Sequence, residues 1–227
     1  MKTLCLILCF GLMTQKSIAQ KLIMDILDPI GANQNMQSGS SRTEVVGSVY
    51  LTDWQEGYLI YGQTKEKKIM RYNVYKDALH IKDTQNKELI IQEGQVEKFI
   101  IVDKNIEYNF KWLNNIPKIN YGYVQIIYEN QVKLYYRHHR RLKQAVSGTE
   151  GYTPNIENDA LIEDNSFVIV LPNGTTHLTK AKKKDILNIF ADKKSDLENL
   201  IKAEKIDTQT LAGLMKVIQK YEELLKK

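Results

Sequence analysis

Cysteine is almost missing from this chain: Cys5 and Cys9 lie in its first ten residues, and no other follows. Disulfides and a thiol nucleophile are therefore excluded downstream, so stability has to come from apolar burial. That suits an oxidising compartment, where a stray thiol is a liability. Charge of one sign is also in short supply. Lys and Arg number 32 against 27 Asp and Glu, and without Lys2 and Lys16 the balance is 30 against 27. So small an excess does not by itself demand nucleic acid or a membrane surface, and no nucleic-acid partner is expected. After the first residues no apolar run approaches the roughly twenty residues of a membrane-crossing helix. Lysine-rich strands likewise lack the apolar outer band of a membrane barrel.

Signatures of chemistry are scarce too. His80 and His177 stand alone, and adjacent His138 and His139 on a strand would point to opposite faces, so no zinc spacing arises. Glu157, Asp159, Glu163 and Asp164 lack the calcium-loop pattern with its central glycine. Ser147, in Val146-Ser147-Gly148, has no nucleophile-elbow context. No catalytic residue, metal site or cofactor is assigned.

What is present begins with an export signal. Lys2 precedes an apolar run at 4–13, then a short polar stretch ends Ser17-Ile18-Ala19 before Gln20, the order of a cleavable secretory signal peptide. The run is about half the length of a spanning helix. Leu4 and Leu8, just before the cysteines, are too large for a lipid-attachment site. Residues 1–19 are thus read as signal peptide, and removing 19 of 227 residues leaves 208, expected in the periplasm or outside the cell.

Residues 20–46, rich in Gly, Asn, Gln and Ser after an apolar segment at 22–27, read as a flexible lead. From Gly47 to about Arg140 apolar and polar residues alternate, with tyrosine and β-branched residues prominent. The clearest strand interleaves Ile106, Tyr108, Phe110 and Trp112 with Glu107, Asn109 and Lys111. Further strands are expected at 57–62, 69–75, 79–82, 88–91, 98–102, 121–128 and from 132 to about 140. Connections this short favour antiparallel neighbours.

Residues 143–165 read as a long loop, followed by a hairpin of 167–171 and 175–178 around Pro172-Asn173-Gly174. From Lys182 the period lengthens to that of a helix. Ile186, Ile189 and Phe190 suggest a short helix, and Ser195 with Glu198 forms a capping box ahead of Leu197, Leu200 and Ile201. Asp207 or Thr208 opens a last helix with Leu211, Leu214, Met215, Ile218, Tyr221, Leu224 and Leu225 on one stripe. The expected fold is α+β: an antiparallel β meander or partly closed β-barrel over 47–180, followed by two or three C-terminal α-helices over 181–227 packed on it.

Three segments carry a resemblance: Gly47-Ser48-Val49-Tyr50-Leu51 with Gly57, Arg71-Tyr72-Asn73-Val74-Tyr75, and Lys182-Lys183-Lys184-Asp185-Ile186-Leu187. Together they resemble uncharacterised exported proteins of Bacteroidota-type bacteria. The resemblance implies a cell-envelope or secreted address and a β-then-helix layout, and it assigns no functional residue.

The densest chemical feature runs from Tyr135 to Lys143. If Val132, Leu134 and Tyr136 face the core, then Lys133, Tyr135, Arg137, His139 and Arg141 line the opposite face as a basic stripe with one aromatic. Tyr135, Arg137, His139 and Arg141 are the candidate site for an anionic ligand, since guanidinium groups pair with carboxylate or phosphate and a ring offers stacking. The plainer role of such a stripe is a solvated edge that discourages aggregation. Binding should weaken with salt, and should strengthen below about pH 6.5 if His139 keeps an ordinary pKa. Tyr50, Trp54, Tyr58, Tyr61, Tyr72 and Tyr75 suit either core packing or a sugar-stacking platform.

These features point to a non-enzymatic exported binding or structural module of the cell envelope, with an anionic envelope polymer or an envelope protein as partner. The alternative is an envelope hydrolase acting on a glycan or peptide through a carboxylate pair, whose mark would be a pocket gathering acids with raised pKa values. The order of charge, apolar run and small residues predicts that envelope-derived protein begins at Gln20. Intact mass spectrometry checks this, and a mass that retains Met1 to Ala19 or carries a lipid would overturn it.

Overall fold

The computed structural model describes residues 45–144 and 158–226, together with the backbone of 27–29. The segment read as a signal peptide and most of the lead lie outside the described residues.

Among the described residues thirteen strands precede three helices. The first is β1 (Leu27–Pro29), inside the stretch read as a flexible lead. Four follow as successive hairpin arms: β2 (Gln55–Tyr61), β3 (Thr64–Asn73), β4 (Ala78–Lys82) and β5 (Glu88–Ile91). Next come β6 (Lys98–Asp103), β7 (Ile106–Ile116), β8 (Asn120–Glu129) and β9 (Lys133–Arg137), then β10 (Arg140–Lys143), β11 (Ala160–Glu163), β12 (Ser166–Val170) and β13 (Thr176–Thr179). Eleven of them form one antiparallel sheet in the order β1-β5-β4-β3-β2-β6-β7-β8-β9-β12-β13, while β10 and β11 pair separately. The sheet curls without closing, so the meander expected from the alternation is present and the fold is α+β.

Curling explains one connection. Strand β6 pairs with β2 rather than with β5, although only residues 92–97 link β5 to β6. Four strand spacings in a flat sheet would separate them by roughly 19 Å. In the curled sheet Leu89 and Ile91 of β5 instead share a core with Phe99, Phe110 and Tyr123 across the concave face. The link itself is folded in: Val96 is fully buried, and its carbonyl accepts from the Tyr123 hydroxyl at 2.9 Å. Gly57 allows a close approach of neighbouring strands, because a Cβ there would drive into the Ile100 carbonyl and lie 2.6 Å from Met70 Sδ.

The second half of the sheet is covered on both faces. Leu134, Phe167 and Ile169 meet Phe190, Leu197, Leu214 and Ile218 from the helical segment, whereas Tyr135 and Val168 face the other way onto Ile116 and Val124. The helices are α1 (Lys183–Ile189), α2 (Lys194–Ala203), reached through a 3₁₀ turn at Ala191–Lys193, and α3 (Leu211–Leu225).

Local details depart from the sequence reading. Ser195 does not cap α2: the 3₁₀ turn runs straight into the helix, its N-cap is Lys193 with no side-chain bond, and Glu198 pairs with Lys202 at 3.1 Å instead. Helix α3 is capped by Thr210, whose hydroxyl accepts from Gly213 N at 3.1 Å. Asp207 makes the preceding turn by accepting from Gln209 N, and buried Thr208 donates to the Ala181 carbonyl at 2.7 Å. The long loop opens and closes as a hairpin, since β10 pairs with β11. In the Asn-Gly turn Gly174 takes the positive φ, at 83°.

Helix α3 is fastened by a buried acid. Glu222 is 5 % exposed; its carboxylate accepts from Val132 N at 2.8 Å, Tyr128 Oη at 2.6 Å and Asn130 Nδ2 at 3.1 Å. Charged hydrogen bonds of this kind contribute about 1.5–3 kcal/mol, and an orphaned buried N–H costs a similar amount. Glu222→Ala should therefore lower the melting temperature by roughly 5–10 °C, and Glu222→Gln, which keeps an acceptor for Val132, by less. An unchanged melting curve for Glu222→Ala would show that this contact does not hold the helix.

Candidate functional site

The run from Tyr135 to Arg141 is divided by the end of a strand. β9 stops at Arg137, where Arg137 pairs with Ser166, and β10 starts at Arg140 opposite Glu163. The simple alternation of side chains is therefore broken at His138 and His139, and successive residues go to different places.

Tyr135 is buried, 1 % exposed, rather than on a solvent-facing stripe. The expectation failed because both faces of β9 are covered at Leu134 and Tyr135, although Lys133 at the start of the strand is exposed. The Tyr135 hydroxyl donates to Glu129 Oε1 at 2.6 Å, and Lys111 Nζ donates to the same oxygen at 3.1 Å. Burial and that carboxylate push the phenol's pKa up. Arg141 is exposed on β10, opposite Ile162, and does not join the other three. Between them, Arg140 donates through Nη1 to the Tyr50 carbonyl at 2.8 Å and also to the Ser48 carbonyl, fastening the segment before β2.

Arg137 and His139 do come together. Both line a cleft of about 660 Å³ with Lys118, His177, Lys180 and Lys182. Asp164 and Asp185 are its acids, so with neutral histidines four fixed positive charges face two negative ones. Lys180 is committed: it meets Asp164 Oδ1 at 2.8 Å and the Asp164 carbonyl at 2.9 Å, and this pair holds the Asp164 carboxyl below its usual range. Lys118 and Lys182 are exposed, and among the described residues neither meets a carboxylate within salt-bridge distance. Arg137 is half-buried, and its Nε has no hydrogen-bond partner.

His139 Nδ1 lies 3.1 Å from the Val74 carbonyl and 3.3 Å from Arg137 Nη2. A carbonyl can only accept, so Nδ1 carries the proton, and the guanidinium is a close neighbour rather than a donor to it. Burial and Arg137 lower the His139 pKa, which moves its charge gain below the pH 6.5 anticipated from the sequence. His138 turns the opposite way and binds Gln125 Oε1 through Nε2 at 2.7 Å. Burial, helped by Arg140, pushes its pKa down to about 4.

Sequence reasoning missed Lys118, His177, Lys180 and Lys182. The basic run from Lys180 to Lys184 was visible, but its place beside Arg137 depends on β13 pairing with β12 and β12 with β9. Lys118 arrives from the β7–β8 turn with a φ of 74°. The aromatics divide as well: Tyr72 is core, while Tyr50 and Trp54 flank the Arg71 guanidinium at 3.7 and 4.3 Å.

Chemically, the cleft can hold an anion by charge and by hydrogen bonds from the guanidinium and lysine groups. Among the described residues the one carboxyl whose pKa rises is Asp77, which is desolvated, receives bonds from the Tyr72 hydroxyl and Tyr123 N, and is absent from the cleft lining. No cluster of three or more potential metal-ligating residues occurs among the described residues. Comparison with family models, with curated proteins and with solved structures finds no match for the chain.

All four histidines have lowered pKa values, chiefly through burial. A folded pKa below the unfolded value of about 6.5 means that the unfolded chain binds more protons, so stability is full above pH 6.5 and falls as pH drops towards 4. His138 alone should remove about 2–3 kcal/mol over that window. Melting curves should thus fall between pH 6.5 and 4.5, and His138→Gln, which keeps a polar partner for Gln125, should flatten the decline. An equally steep decline in the variant would remove His138 as its source.

Proposed function

We propose that the chain is an exported, non-enzymatic binding module of the bacterial cell envelope that holds an acidic envelope polymer in the basic cleft. The observation that carries this reading is the gathering of Arg137, Lys118, Lys180 and Lys182 against two acids in one cleft, with Lys118 and Lys182 free of any carboxylate partner among the described residues. Lys118 and Lys182 at the rim add a field that gathers anions before contact. The export order of residues 1–19 and the resemblance to exported proteins support the address. Overall charge is close to balanced, so attraction has to be local.

Charge reversal belongs at the exposed lysines, because reversing half-buried Arg137 would also unfold the site. Lys118→Glu with Lys182→Glu should abolish retention on immobilised polygalacturonate at low salt while leaving the melting temperature within about 1–2 °C of the parent. Parent retention should decline as salt rises, since exposed charges are screened over about 10 Å at 0.1 M. Equal retention of variant and parent, or no retention of the parent, would overturn the assignment.

A further inference from the structure

A second cavity stands beside the cleft, on the other side of the same strands. Arg137, His139 and Ser166 line the basic cleft; their chain neighbours Tyr136, His138 and Asn165 line a separate space of about 450 Å³. Lys180 lines both. Its ammonium is held by the Asp164 carboxylate and by the Asp164 and Asn165 carbonyls, so it is fixed between a residue that lines the cleft and one that lines the second cavity.

The two linings differ in chemistry. With His138 neutral, Lys180 is the single charge in the second cavity. Its other polar groups are largely amides, from Gln125, Asn165 and Gln209. Asn165 is spoken for, its Oδ1 accepting from His139 N at 2.9 Å and its Nδ2 donating to Glu163 at 3.1 Å. Gln125 Oε1 accepts from His138, which leaves its amide N–H groups, and Gln209 forms no side-chain bond among the described residues. An amide offers donor and acceptor side by side, and a sugar hydroxyl is both. Ile127, Phe167 and Leu211 supply an apolar wall of the kind that packs on the C–H face of a sugar ring. A space of this volume is at the size expected for a small-ligand pocket.

We infer that the two cavities are adjoining subsites for one acidic oligosaccharide, its acidic unit in the basic cleft and a neighbouring uncharged sugar in the amide-lined cavity, with Lys180 between them. This rests on the reading of the cleft as an anion site and specifies its ligand. It requires the sugars to alternate in charge, since a second acid would find one cation in the amide-lined space and a neutral glycan would leave the cleft's cations unmatched.

Calorimetric titration of the purified chain with three probes tests it: free glucuronate, a hyaluronan tetrasaccharide in which glucuronate alternates with an uncharged amino sugar, and uncharged chitotetraose. The tetrasaccharide should bind at least about tenfold more tightly than glucuronate, a difference of about 1.4 kcal/mol, and chitotetraose more weakly than either. Gln209→Ala with Leu211→Ala changes two exposed side chains at the second cavity. It should bring the tetrasaccharide down to the affinity of glucuronate and leave glucuronate itself unchanged, with Gln209→Ala alone giving part of the loss should the pair perturb α3. Lys118→Glu with Lys182→Glu should weaken both acidic probes. A tetrasaccharide no tighter than glucuronate, or an advantage that survives Gln209→Ala with Leu211→Ala, would overturn the second subsite and leave the anion cleft standing. Failure of both acidic probes to bind would overturn the two together.

Discussion

The pairing of β9 with β12 is the contact on which the rest of the structure depends. In that register Leu134 lies opposite Ile169 and Tyr135 opposite Val168, so the pair presents apolar side chains to both sides at once. One side receives the helices and the other receives the inward turn of β7, β8 and β13. A strand pair buried on both faces cannot alternate greasy with wet, and the unbroken apolar run of Phe167 to Val170 is its signature. Burying each large side chain contributes about 1.5–3 kcal/mol, which outweighs any gain from leaving Tyr135 hydrated. Losing this pair would separate the helices from the sheet and scatter the cleft residues, because Arg137, Ser166 and Lys180 are brought together through it.

Polar groups away from the cleft are mostly taken up by the fold itself. Glu222 locks α3 to the β8–β9 turn, and Arg140 holds the segment before β2 through two carbonyls. Arg71 is enclosed by Tyr50 and Trp54 and paired with Glu88 at 2.7 Å, so ring quadrupoles and a carboxylate replace its lost water. His80 shares the same Glu88 oxygen. The cations lining the cleft differ in that several lack such partners. A chain of nearly balanced charge thereby produces a localised positive region without an excess of basic residues.

That region owes little to histidine near neutral pH. His139 and His177 both border it, but burial holds each below its ordinary pKa. Its field comes from Arg137 and the lysines. Protonation at low pH acts instead on stability, by drawing the buried imidazoles towards the unfolded chain.

Much of the architecture was legible in the order of residues because period and turn chemistry are local properties. The succession of short alternating segments, the Asn173-Gly174 turn and the apolar stripe from Leu211 to Leu225 follow from contacts within a few residues. Exposure was misjudged where tertiary burial overrode that local signal, as at Tyr135, and the cap of α2 was misplaced because the 3₁₀ turn entering it made side-chain capping unnecessary. For the site, the sequence by itself determined the supply of cations and the closeness of Arg137 to His139. Tertiary structure alone decided which of them share a cleft. Lys118, Lys180 and Lys182 reach Arg137 through strand pairings that link distant parts of the chain, and no local periodicity encodes which strand will lie beside which.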